Sequence, residues 1–185
     1  MAGARGKRIA AFKLSIIAWG LLPIACASRP VGPTNVIDYR GEKIRLTKSY
    51  ADFDDYKNDP QNIDPAETAR VQRLVMEAPL ERDFESLVDA SKAAGEIAFP
   101  GYGSGGFGEQ LQPDGTVLTG FSIEIPRAEK HRYLIFRGGH GKYRLIDDFV
   151  LSDKTIIGHV TEENGALVYS THQGQRLMTR PFNRE

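Results

Sequence analysis

Cysteine is almost absent: the 185 residues hold one, Cys26, so no disulfide can form within the chain and its core must be held by packing alone. Also absent is any apolar run near the roughly 20 residues that a helix needs to cross a bilayer. The first 27 residues contain no Asp or Glu, and they carry only Arg5, Lys7, Arg8 and Lys13 as charges. No internal repeat and no low-complexity tract occurs. Paired C-x-x-C, H-E-x-x-H and G-x-S-x-G patterns are missing too, which removes the usual signatures of zinc sites and of a serine nucleophile elbow.

What is present begins with a three-part leader. Arg5, Lys7 and Arg8 supply a positive start, residues 14–22 an apolar middle, and Pro23 a break before small residues. This is the layout of a secretory signal, with an apolar segment too short to span a membrane. Two fates compete at its end. Ala25-Cys26-Ala27 is an A-x-A cleavage site that releases a protein beginning at Ser28. Alternatively Cys26, directly after the apolar run and preceded by Ala25, resembles the lipobox of bacterial lipoproteins. That resemblance implies lipid attachment at Cys26, although Pro23 stands where those proteins usually carry an aliphatic residue. The expected location is the cell envelope: an outer-membrane or other envelope lipoprotein, or a periplasmic or extracellular protein if the cut follows Ala27.

The formal net charge of the whole chain is zero, with 24 basic and 24 acidic residues. Loss of the four leader cations brings the remainder to about −4, which does not suit general attraction to nucleic acid. No nucleic-acid partner is therefore expected.

Domain organisation follows from the leader. Residues 1–27 read as the export signal, 28–34 as a Pro/Gly tether, and 35–185 as a single α+β domain. Val36–Tyr39 and Lys43–Leu46 suggest a hairpin around Arg40-Gly41-Glu42. Tyr50, Phe53 and Tyr56 share a helical face. Asp64-Pro65-Ala66-Glu67 has the pattern of a capping box, followed by Val71, Leu74, Val75 and Ala78 at helical spacing and by Pro79 as a stop. A second helix is expected from about Arg82 to Ala94, burying Phe84, Leu87 and Val88 and ending at Gly95.

Beyond Gly95 the apolar period becomes two, with strands expected at Glu96–Phe99, Val117–Ile125, His131–Arg137, Lys142–Leu151, Ile156–Thr161 and Leu167–Thr171. The predicted fold is α+β, with two N-terminal helices packed on an antiparallel meander of about five to seven strands. If residues 138–141 form the loop of one hairpin, Phe136 faces Tyr143, Leu134 faces Leu145, Arg132 faces Asp147 and His131 faces Asp148. Such pairs are favourable across strands.

Five constellations invite a chemical reading. Residues 101–106 match G-x-G-x-x-G, but the dinucleotide form of that motif must open a helix, and here the chain leads on to another strand. Tyr102, Gly103 and Phe107 are the candidate residues for a ligand-binding loop. Arg137, Lys142 and Arg144 form a candidate anion patch. His131 opposite Asp148 lacks a nucleophile, and His159 with His172 lacks a third metal ligand. The Asp52–Asp64 stretch departs from the spacing of a calcium loop. No catalytic residues, metal site or cofactor are assigned. The expected role is a non-catalytic envelope module binding an unknown partner or ligand. A small hydrolase or lyase near residues 101–108, built from Tyr102, His140, Asp147 and Asp148, is the alternative.

Overall fold

The computed structural model describes residues 34–50, 63–139, 141–152 and 156–182. The leader, Cys26, the tether up to residue 33, His140 and the residues Asp52–Asp59 lie outside the described residues, as do Phe53 and Tyr56 of the expected helical face, whereas its Tyr50 ends a strand.

Strands β1 (Thr34–Tyr39) and β2 (Glu42–Tyr50) form the expected hairpin. Arg40 and Gly41 turn it with φ of 51° and 79°, the doubly positive pair that matches strand twist. Helix α1 (Thr68–Met76) buries Val71 and Val75. Each fully buried valine contributes about 1.5–3 kcal/mol relative to exposure. The capping box does not close. Asp64 accepts the Ala66 N–H at 2.9 Å in a turn before the helix, while Glu67 binds Arg70 at 3.1 Å.

Strand β3 (Asp83–Phe84) and helix α2 (Leu87–Ile97) occupy the second expected helix. Ser86 sets the true start, because its hydroxyl accepts the Asp89 N–H at 3.1 Å. The buried face becomes Ala90, Ala94 and Ile97, and Val88 turns outward, 76% exposed. Gly95 lies within the helix rather than ending it.

Strands β4 (Ser104–Leu111), β5 (Val117–Ile125), β6 (Lys130–Gly139) and β7 (Lys142–Ser152) join β3 in an antiparallel sheet of order β3-β7-β6-β5-β4. Strands β8 (His159–Glu163), β9 (Ala166–Ser170) and β10 (Arg176–Pro181) make a second sheet of order β10-β9-β8. The expectation of two N-terminal helices on one meander is therefore corrected. Among the described residues, ten strands in three sheets dominate, and the two helices sit mid-chain after a β-hairpin. The α+β class holds only in that broad sense.

The central strand β6 explains the layering. Leu134 and Phe136 join the hairpin and both helices in one core, whereas Tyr133 and Ile135 join Val160, Leu167 and Tyr169 of the second sheet in another. Alternate side chains thus enter opposite cores, so Tyr133-Leu-Ile-Phe136 reads as an unbroken apolar run.

The β6–β7 register also differs from expectation. Gly139 pairs with Lys142, Gly138 with Tyr143 and Phe136 with Leu145; past a bulge at Ile146, Leu134 pairs with Asp148 and His131 with Leu151. The reason lies in Gly138. A Cβ there would stand 2.2 Å from the Tyr143 ring, so this glycine serves as a bed for an aromatic within the ladder and not as loop.

Candidate functional site

Helix α2 packs on the five-stranded sheet, and between its first turns and the outer strand β4 lies an open groove of about 620 Å³. Leu87, Val88 and Lys92 of α2 form one wall, Gly106, Gly108 and Glu109 of β4 the other, and Phe121 of β5 the floor. The surface is mostly apolar. Ser86 fixes the start of α2, so Leu87 and Val88 stand in its first turn over the groove. Two charged groups mark its margin. Lys92 stands on the helix side, and Glu109 accepts the Tyr143 hydroxyl at 2.9 Å. Burial and this carboxylate both raise the Tyr143 pKa, so its hydroxyl remains a donor.

Of the candidate ligand-loop residues only Phe107 lines this groove, and the glycine-rich segment is mostly strand. Gly103 enters the ladder: its carbonyl accepts the Glu124 N–H at 2.9 Å, and its own N–H donates to Glu124 Oε2 at 3.1 Å. Phe107 belongs to the core shared with the second sheet, and its ring lies against Gly120. Tyr102 is buried in the other core, edge-on to Phe99 at 6.1 Å. Burial raises its pKa, opposed in part by the Arg127 charge. Only Gly101 of this glycine series has a positive φ, 85°.

The three cations of the candidate anion patch each meet a carboxylate. Arg137 is held between Asp114 and Glu162, the latter at 2.5 Å, and its guanidinium lies 5.4 Å from the Phe182 ring centre. Arg144 binds its cross-strand neighbour Asp83 at 2.7 Å, and Lys142 lies 3.8 Å from Glu85. Arg137 and Arg144 are directly opposite in the ladder, a juxtaposition their separate acids neutralise.

No family model, curated protein or solved structure matches this chain.

Of the catalytic alternative, His140 lies outside the described residues, and Asp147 and Asp148 face opposite sides of the sheet. Asp147 faces the second sheet, where it accepts from the Tyr169 hydroxyl at 2.7 Å and from Arg180 at 2.7 and 3.0 Å. Asp148 points to the opposite face and binds Arg132. His131 pairs with Leu151 instead of Asp148. His159 and His172 do approach, with ring centres 6.0 Å apart, yet among the described residues no third ligating side chain joins them.

Sequence reasoning missed the groove because it assigned Val88 to the core and residues 101–108 to a loop. The available signal was Ser86 followed three residues later by Asp89, which sets the helix start and rotates Val88 outward.

Proposed function

We propose that this chain is an exported cell-envelope protein that acts as a non-catalytic binding module, with its ligand held in the α2–β4 groove. The observation that carries the reading is the groove itself: an open apolar trough with Val88 exposed on its wall and a few polar groups on its margin. Ligand sites commonly combine such an apolar lining with a small number of placed polar groups. Export rests on the three-part leader. Lipid attachment at Cys26 would tether the domain to a membrane, and cleavage after Ala27 would free it into the periplasm or medium.

Titration of the isotopically labelled protein with a panel of apolar fragments and short peptides, followed by amide NMR, tests the reading. Shifts are expected to cluster at Leu87, Val88, Gly106, Gly108 and Phe121. Shifts centred on the second sheet, or none from any compound, would contradict it.

A further inference from the structure

The sheets differ in how their edges are guarded. Exposed strands usually carry charges, proline or short length, because a bare edge invites another chain to pair with it. Strand β3 has two residues, β8 has five and includes Glu162 and Glu163, and β10 carries Arg176, Arg180 and Pro181. By contrast β4, at the other end of the five-stranded sheet, has eight residues, one charge and no proline, and its one bulge, between Phe107 and Gln110, leaves Ser104 to Phe107 in regular register. Gly103 and Gly105 point their polar backbone groups toward β5, where Glu124 N–H and the Ser122 hydroxyl reach their carbonyls. Alternation along a strand then turns the N–H and C=O of Ser104 and Gly106 outward.

The glycines of β4 add an independent observation. Gly105 and Gly108 do not have a positive φ. A Cβ at Gly108 would meet nothing within 4 Å, and one at Gly105 only the Ser122 hydroxyl at 3.6 Å, an ordinary contact. Gly108 falls at the bulge between Phe107 and Gln110, where glycine is common, but at Gly105 neither backbone conformation nor internal packing asks for glycine, although glycine weakens a strand. A second backbone approaching from outside does ask for it.

Resting on the groove as the binding site, we propose that β4 accepts an extended segment of a partner polypeptide as a sixth strand of the sheet. Main-chain bonds to the bare edge give affinity, and alternate side chains give selectivity, as in strand addition generally. An apolar side chain of the segment seats against Val88 and Phe121. Charge on the margin selects its neighbour: the Glu109 carboxylate is engaged by Tyr143, and the Lys92 ammonium favours an acidic residue.

Selection from a displayed library of random twelve-residue peptides against the chain purified from the cell envelope tests this. Enriched peptides should alternate apolar and polar residues and include an acid. Gly108→Val should weaken their binding at least tenfold without lowering the unfolding midpoint, and Lys92→Glu should weaken it several-fold through the acid. Methylating one alternating set of peptide amides should abolish binding, while methylating the other set leaves it unchanged. Peptides that map to the groove yet tolerate every methylation would overturn strand addition and leave the groove reading standing. Peptides that map elsewhere would overturn both. Failure to enrich any peptide, or self-association of the chain through β4 in its place, would also overturn the proposal.

Discussion

Arg132 of β6 grips Asp148 of β7 with two bonds, of 2.8 and 2.6 Å, while its remaining nitrogen donates to the carbonyls of Val75 and Ala78 at 2.8 and 2.9 Å. One buried guanidinium therefore joins two strands to the C-terminal end of α1. The last carbonyls of a helix lack partners within it, and a cation there also complements the helix dipole.

Removal of either partner should be costly, and unequally so. Asp148→Ala leaves a buried cation without its counter-charge, and a loss of about 3–5 kcal/mol is expected. Arg132→Met keeps much of the packing and leaves Asp148, about a third exposed, to water, so roughly 1–3 kcal/mol is expected. Urea denaturation of the two variants checks the order. Equal or negligible losses would contradict this role.

Glycine replacements should divide sharply by position. At Gly120 a Cβ would lie 2.1 Å from the Phe107 ring and 2.8 Å from the Leu134 carbonyl oxygen, and at Gly138 it would lie 2.2 Å from the Tyr143 ring. Gly120→Ala and Gly138→Ala are expected to destabilise by about 1–3 kcal/mol or more through overpacking. Gly108→Ala, with open space around it, should be neutral or stabilise by about 0.4–1 kcal/mol. Thermal unfolding of the three variants provides the comparison.

Stability should fall at both extremes of pH. The Thr116 hydroxyl and backbone N–H, with Arg137, lower the Asp114 pKa to about 2. Its contribution is present above the ordinary pKa of about 4 and is lost as pH drops through about 2. Burial raises Tyr39, whose hydroxyl donates to the Ile97 carbonyl, to about 12. The unfolded chain releases that proton above pH of about 10, so stability declines from there toward pH about 12. NMR titration of Asp114 should give a midpoint near 2, moved upward in Thr116→Val. An unshifted Asp114 would remove the acidic half of the prediction.

How much of this was legible varies with the physics of each element. Strand β5 appears over the expected residues Val117–Ile125, and the Asn164-Gly165 turn has the two positive φ values, 51° and 75°, that its sequence implies. Local chemistry decides such features. The β6–β7 register was not legible, because favourable side-chain pairs exist in more than one alignment and the bulge at Ile146 is invisible to a pairing rule. Strand β4 was hidden by glycines that carry no hydrophobic period. The expected strand at Glu96–Phe99 is instead the end of α2 and the segment after it, where Ile97 completes the helix face with Ala90 and Ala94. As for the candidate site, its Phe107 was named and its wall on α2 was not, since the helix starts at Leu87 and not near Arg82 and buries Ala90, Ala94 and Ile97 in place of Phe84, Leu87 and Val88.

The intact mass of the chain extracted from the envelope should show a diacylglycerol-modified N-terminal Cys26. Cys26→Ala should then release the protein into the soluble fraction. A native mass beginning at Ser28 would instead establish cleavage after Ala27.

Occupancy of the groove in living cells tests the central claim most directly. A photo-crosslinking residue placed at Val88 should give a discrete adduct that Gly108→Val suppresses, whereas the same residue at Val150, which faces solvent elsewhere on the sheet, should give none. Equal labelling at both positions, or adducts indifferent to Gly108→Val, would contradict the account.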